Sequence, residues 1–444
     1  MLEDRNIICL ASNWSYDPTS KHHVMRLLAQ RNHVIWVNYH GSRRPCLTGA
    51  VVGAAAAKIR QFIQGPRRVD RNITVITPLV VPIPGNRAVA ALNRELLARQ
   101  IWNVLRDLPD RPAQLWSFAP DVDYLCGRFD EECVVYYCVD EFSEFTGYNA
   151  SAVAAAERRL IQHADLVITT SQSLHDAKRR GPATPRARRA MAGTCPDSVG
   201  RPCGATKTDS RQLLHDTHSN VVLVPHGVDY EHFACAISPE TTVPDDIADL
   251  PKPILGFWGL IQDWLDLDLL ASVARARPDW SIVLIGETLV DPAPLSGLPN
   301  VHLLGRRPYQ SLPAYAKGFD VGLIPFRLNA LTRAVNPIKL REYLSAGLPV
   351  VSTPLPEVQR YQDLVHIAGD APTFIAACER ALSGNDAARS HLAAARQAAM
   401  QHETWAAKVK EISDHVRQCR NPLPASRHAP ASPAVAIRGR ARIT

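Results

Sequence analysis

Short apolar runs alternate with longer stretches of helical periodicity along nearly the whole chain. Runs at 6–10, 33–37, 73–76, 114–117, 133–137 and 166–169 are rich in Val, Ile and aromatic residues and predict strands. Between them, apolar spacing predicts helices over 19–30, 86–106, 150–163 and 172–180. The second half repeats the alternation. Strands are predicted at 220–225, 253–257, 281–285, 301–304, 320–325 and 349–352, with helices over 266–276, 309–318, 337–346, 371–382 and 386–416. This order predicts an α/β protein whose sheets are parallel and doubly wound.

Three stretches break the pattern. Residues 41–70 are rich in Ala, Gly and Arg and read as loop with some helix. Residues 181–212 carry Gly181-Pro182, Thr184-Pro185 and Cys195-Pro196 with almost no large apolar side chain, and residues 421–444 are Pro/Ala/Arg-rich. Such segments bury too little apolar surface to offset ordering, so both are expected to be disordered, the first as an insertion. At 444 residues, two domains are the natural division. We place the first at 1–225 and the second at 226–420, with a hinge in Pro225-His226-Gly227-Val228-Asp229, where Gly227 is expected to adopt a backbone angle other residues resist.

Charge changes this picture little. The net charge is +7, but 178–211 carry nine Lys/Arg against two Asp, and 421–444 add four Arg and no acid. The basic excess therefore lies in the two aperiodic segments, which argues against a nucleic-acid partner and leaves attraction to an anionic membrane surface as a role for them. Ten cysteines without a C-x-x-C pair suggest neither zinc nor a disulfide framework. No apolar run is long enough to cross a bilayer, and a cytoplasmic location, with peripheral membrane contact, is expected.

Candidate chemistry concentrates in Asn336-Pro337-Ile338-Lys339-Leu340-Arg341-Glu342-Tyr343 and the following Ala346-Gly347-Leu348-Pro349. Asn336 suits the N-cap and Pro337 the first helical position, while Gly347 and Pro349 end the helix. A helix start carries free N–H groups and partial positive charge, which favours a phosphate. Lys339 adds an ammonium, and Glu342, three residues on, shares its face. The same residues also read as a capped surface helix with one ion pair. Apolar runs on either side place the helix start at the carboxyl end of a parallel strand, where open α/β sheets bind ligands.

This segment resembles the donor-site signature of GT-B glycosyltransferases, family 4-like enzymes of bacterial polysaccharide assembly, and especially the teichuronic-acid and exopolysaccharide type. Pro225-His226-Gly227-Val228-Asp229 through Phe233 resembles their interdomain turn. The resemblance implies two Rossmann-like domains facing a cleft, the second holding a UDP- or GDP-linked sugar and the first a glycan or lipid-linked acceptor. It implies transfer with retained anomeric configuration, in surface polysaccharide synthesis, without a cofactor or metal. Asn336, Pro337, Lys339 and Glu342, with Gly259 of the turn Gly256-Phe257-Trp258-Gly259 and Arg306 of Leu304-Gly305-Arg306-Arg307, are the donor-site candidates. Two departures stand out. The family pairs two glutamates eight positions apart, but Ala334 stands where the first would be, leaving Arg333 and Asn329 as nearby polar candidates. Relatives also supply a cation soon after the Gly259 turn, and Leu260-Ile261-Gln262-Asp263-Trp264-Leu265-Asp266 has none. These departures keep open a GT-B-fold epimerase or hydrolase and a non-catalytic scaffold.

On the acceptor side, Asp140 of Asp140-Glu141-Phe142-Ser143-Glu144 follows a strand directly. Its carboxylate suits orienting or deprotonating an acceptor hydroxyl, or shielding a sugar cation, and it reads equally as a helix cap. Asn13 and His22 follow the first strand and are acceptor-contact candidates, though a histidine there also reads as structural. Asp121-Val122-Asp123 has the spacing of a metal-binding pair but reads as helix capping, as do Asp263 and Asp266.

Overall fold

The computed structural model describes residues 1–39, 64–78, 87–180 and 220–419. The expected insertion at 181–212 and tail at 421–444 lie outside the described residues. The chain forms two α/β domains, each built on its own sheet.

In the first, β1 (Asn6–Ala11), α1 (Ser20–Leu28), β2 (His33–Asn38), β3 (Arg67–Asp70), β4 (Ile73–Ile76) and α2 (Arg87–Arg106) lead to β5 (Ala113–Ser117) and β6 (Cys133–Cys138). Then come α3 (Ala150–His163), β7 (Leu166–Thr169), α4 (Gln172–Arg180) and β8 (Val221–Leu223). The strand order is β3-β4-β2-β1-β5-β6-β7-β8, parallel except for β3 at the edge. β3 was not expected, because its Arg67-Arg68-Val69-Asp70 lacks the apolar alternation of a strand and is mostly exposed. β1, β6 and β7 are buried along their whole length, as strands covered on both faces must be.

The second domain runs β9 (Ile254–Trp258), α5 (Leu267–Ala276), β10 (Ser281–Ile285), β11 (Val301–Gly305), α6 (Leu312–Gly318), β12 (Val321–Ile324), α7 (Ala330–Ala334), α8 (Ile338–Ser345), β13 (Val350–Ser352) and β14 (His366–Ile367). Its sheet is all parallel, in the order β11-β10-β9-β12-β13-β14. The order reverses between β9 and β12, and between β1 and β5 in the first sheet. Such switch points open a crevice outside the strands' carboxyl ends, where ligands bind.

The chain ends in α9 (Ala371–Leu382), α10 (Asp386–Met400) and α11 (Trp405–Gln418). The single helix expected over 386–416 is thus two. The break falls where Thr404 caps α11 by accepting from Ala407 N–H and pairs with Val228 across a backbone bridge. α11 crosses back to the first domain: Trp405, Val409, Ile412 and Val416 are buried in the core formed by β1, β2, β5, β6 and α1. Two strands of chain therefore connect the domains, 224–229 and 403–405, hydrogen-bonded to each other through Val228 N–H to Glu403 O and Trp405 N–H to Val228 O. Gly227 does not take the left-handed angle expected of it. A Cβ there would lie 2.7 Å from Trp405 N, so close backbone approach is what requires glycine.

Candidate functional site in the interdomain crevice

α8 begins one residue later than its sequence suggests. Pro337 occupies the N-cap position, and Asn336 caps nothing. Asn336 is instead buried between the domains, donating from Nδ2 to Thr170 O at 2.6 Å and accepting at Oδ1 from Arg341 Nη1 at 2.6 Å. Its amide ties domain to domain rather than facing a ligand. The helix end is as its residues dictate, with Gly347 at φ +76° and Leu348 N–H returning to Tyr343 O.

Lys339 and Glu342 lie on one face of α8, yet they form no ion pair. Glu342 is buried and accepts at Oε2 from Trp258 Nε1 at 2.7 Å, leaving Oε1 without a hydrogen bond among the described residues. Burial pushes the Glu342 carboxyl up, with the nearby Lys339 ammonium and the Trp258 bond working the other way. Lys339 is half-buried and makes no hydrogen bond or ion pair among the described residues. Burial pushes its pKa down, and Glu342 opposes that shift. Its Nζ stands 5.8 Å from the centre of the Phe257 ring.

Gly259 makes the space for this ammonium. It follows β9 at φ +136°, and a Cβ there would fall 2.2 Å from Lys339 Cε and 2.6 Å from Nζ. Gly286, at φ +149°, is needed in turn because its Cβ would fall 1.8 Å from Gly259 O. This leaves an ammonium beside a glycine backbone at the β9/β12 switch point, with no hydrogen-bond or ion-pair partner among the described residues.

Other donor-side candidates are engaged elsewhere. Arg306 reaches across the crevice to Asp17, with Nη2 to Oδ1 at 2.7 Å and Nε at 3.1 Å from both oxygens. Asn329 caps α7 by accepting from Thr332 N–H, and Arg333 is exposed. Ala334, where a glutamate was looked for, is buried against the first domain, its carbonyl accepting from Ser171 Oγ at 2.6 Å. Asp266 caps α5 at Leu269 N–H, but Asp263 takes the Thr146 hydroxyl of the opposite domain.

On the first-domain wall, one acceptor candidate is removed and another is partly engaged. His22 is fully buried against Trp14 and Trp36, with Thr19 N–H donating to Nδ1 and Nε2–H donating to Trp14 O, each at 3.2 Å. That pattern fixes the neutral ring, and burial with the neighbouring Lys21 pushes its pKa down to about 3. It cannot meet an acceptor. Asn13 closes a local turn by accepting from Ser15 N–H at 3.1 Å. Asp123 does not cap a helix either, since it pairs with Arg159.

Asp140 differs. The short 3₁₀ turn Phe142–Glu144 starts beyond it with Glu141 at the N-cap position, so the capping reading of Asp140 falls away. The carboxyl is half-buried and makes no hydrogen bond among the described residues, and burial pushes its pKa up to about 6 against the pull of Lys21. Lys21, on the first turn of α1, was not among the sequence-based candidates. No local motif signals that its charge acts on Asp140 across β5.

Residues 252–384, most of the second domain, match the family described as glycosyl transferases group 1. The two facing Rossmann-like domains are the GT-B arrangement, and the matched part of the second domain is similar to the group 1 glycosyl transferases. It is 27% identical over 288 residues to TuaH of Bacillus subtilis (strain 168), a proposed teichuronic acid biosynthesis glycosyltransferase; the match spans 61% of this chain and 64% of that relative. Among solved structures it resembles sucrose-phosphate synthase from Thermosynechococcus elongatus (TM-score 0.62, 14% identity, covering 93% of this chain and 98% of the other). It also resembles Anabaena HepE in complex with UDP and glucose (TM-score 0.57, 14% identity, covering 93% and 99%).

Proposed function

We propose that the protein moves a sugar from a UDP- or GDP-linked donor to a hydroxyl of a glycan or lipid-linked glycan, in surface polysaccharide synthesis. The observation that carries this reading is the unpaired Lys339 ammonium resting on Gly259 at the mouth of the second sheet. The similarity to TuaH and to a structure holding UDP and glucose supports the polysaccharide setting and the choice of donor.

In this reading the diphosphate lies over the Gly259 turn and the start of α8. The bond from the sugar's anomeric carbon to the diphosphate oxygen breaks, and negative charge grows on the leaving group. In this reading Lys339 and the N–H groups at the start of α8 meet that charge. Stabilisation directed at developing charge lowers the barrier because nothing has to reorganise. Glu342 keeps one oxygen on Trp258 and offers the other to the ribose hydroxyls. The acceptor oxygen bonds to the anomeric carbon and loses its proton, with Asp140, an unpaired carboxylate on the opposite wall, as its acceptor. Retention of configuration belongs to the same proposal and is checked by the anomeric signals of the product.

The test is a thermal-shift and calorimetric screen of nucleoside diphosphates and their sugars. UDP or GDP is expected to raise Tm, and Lys339→Ala and Glu342→Ala are each expected to abolish that rise while the unliganded proteins stay folded. Undiminished binding in both variants overturns the donor site.

A further inference from the structure

Within the proposed transfer, one further polar pair is left over once every committed side chain is set aside. Of the acidic run after β6, Glu141 is fully engaged: Ser143 Oγ donates to Oε1 and Lys178 Nζ to Oε2, each at 2.8 Å. Lys178 also donates to Glu157 at 2.8 Å, and Glu157 accepts from Tyr136 at 2.6 Å. This buried network pins the loop and leaves two carboxylates of the run unengaged, the exposed Glu144 and the half-buried Asp140. At the start of α1, His22 is locked between Thr19 and Trp14, and His23 stacks on Trp405 with rings 5.2 Å apart. Lys21 is the group left unengaged there.

Lys21 and Asp140 face one crevice. Lys21 follows β1 and Asp140 follows β6, both at carboxyl ends and separated in the sheet only by β5. Each is half-buried, and neither has a hydrogen bond or an ion pair within 4 Å among the described residues. Yet they act on each other: Asp140 is the foremost charge sustaining the Lys21 ammonium against its burial, with Cys9 a lesser one, and Lys21 is the foremost charge sustaining the Asp140 carboxylate, with Glu141 opposing. An ammonium and a carboxylate beyond the ends of β1 and β6 that act on each other without pairing within 4 Å are separated by a distance that a group able to donate and accept at once would bridge.

We propose that Lys21 and Asp140 bracket a single sugar hydroxyl of the acceptor, Lys21 donating a hydrogen bond to its oxygen and Asp140 accepting its proton. The acceptor class this geometry selects is a sugar ring presenting a free hydroxyl to a matched cation and anion, which favours a neutral ring over an anionic one. A carboxylated or phosphorylated ring placed there is drawn to Lys21 while Asp140 repels it, which displaces the hydroxyl from between them. This inference rests on the glycosyl-transfer reading, and its test separates the two.

Wild type and Lys21→Met are compared for nucleoside-diphosphate binding by calorimetry, for donor hydrolysis without acceptor, and for transfer to neutral and uronic-acid oligosaccharides. The expected result is unchanged donor binding, slower hydrolysis because water is then the hydroxyl between the pair, an acceptor KM raised at least about ten-fold, the equivalent of roughly 1.4 kcal/mol, and partial rescue by Lys21→Arg. The acid limb of kcat/KM also moves to higher pH, because the charge that held the Asp140 pKa down is gone. Asp140→Asn is expected to raise the KM of the neutral acceptor likewise and to flatten that limb. A Lys21→Met protein with wild-type acceptor KM and acid limb overturns the proposal. So does one that loses donor affinity instead, which assigns Lys21 to the diphosphate, or a wild type that prefers the anionic acceptor. Absence of any nucleoside-diphosphate binding in the wild type strikes the parent reading, not the pairing.

Discussion

Glycine at 259 matters for what it lacks. Alanine there puts a methyl carbon within 2.2 Å of Lys339 Cε and forces a non-glycine residue to hold φ +136°. The lysine end is flexible and swings aside, so the fold survives, with strain of about 1–3 kcal/mol. The ammonium no longer rests on the backbone at the switch point. Gly259→Ala is therefore expected to weaken nucleoside-diphosphate binding about ten-fold or more by calorimetry while Tm falls only a few degrees. Burial of histidines shapes pH stability at the same scale. His22 and His226 are both buried and both pushed down to about 3, chiefly by burial, while an unfolded chain protonates them near 6.5. The unfolded state thus binds more protons between those values, and stability is fully present above pH 6.5 and falls as pH drops toward 3. Each ring contributes a slope of up to ~1.4 kcal/mol per pH unit. Urea midpoints at pH 7 and pH 5 check this, and His226→Gln is expected to flatten the difference.

Elements transmit constraint that single residues do not. α4 carries Ser171 just before its first residue and Lys178 in its last turns, so one helix meets the second domain at one end and fixes the Asp140 loop at the other. Lys178 is buried; burial works against its charge, but Cys138, Glu157 and Glu141 more than offset that and hold its pKa above the ordinary lysine value. Lys178→Met leaves two carboxylates without their cation, one of them buried, and breaking such a pair costs about 3–5 kcal/mol. Chemical denaturation is expected to show that loss, and the stability of Lys178→Met is expected to recover in part when Glu157→Gln is added. The elements themselves were legible in the sequence, since 73–76, 166–169 and 281–285 were read to the residue from their apolar runs. What was not legible depends on partners distant in sequence. Asn336 has every local mark of an N-cap, but its amide is claimed by Thr170 and Arg341. Arg306 follows a strand where a ligand is expected, but Asp17 from the other domain takes it. Lys21 and Asp140 are 119 positions apart in the chain, and only the order of the sheet brings them to one crevice.

At the scale of the whole molecule, the crevice is closed from more than one side. Beyond the crossing strands at 224–229 and 403–405, a buried tie joins the domains: Ser171 Oγ to Ala334 O at 2.6 Å, Asn336 Nδ2 to Thr170 O at 2.6 Å, and Gln172 N–H to Glu357 Oε1 at 2.7 Å. Ser171, Thr170, Asn336 and Glu357 are all nearly or wholly buried, so water does not compete for these bonds. The Arg306–Asp17 pair is half-exposed on both sides and adds little, on the order of 0–1 kcal/mol. A motion confined to 227–233 has to break the buried tie before the domains separate. Opening exchanges these bonds for bonds to water, at a net cost of about 0.5–1.5 kcal/mol for each. The closed form is therefore expected to dominate without ligand, and adding a nucleoside diphosphate is expected to leave the radius of gyration of the wild type nearly unchanged in small-angle scattering. Ser171→Ala combined with Glu357→Gln removes one bond and weakens a second without touching Lys339 or Glu342. That double variant is expected to be larger when free and to contract on nucleotide binding, with affinity reduced by the population that must first close. A wild type that itself contracts on binding shows that the tie is too weak to hold the domains and returns control of closure to the crossing strands.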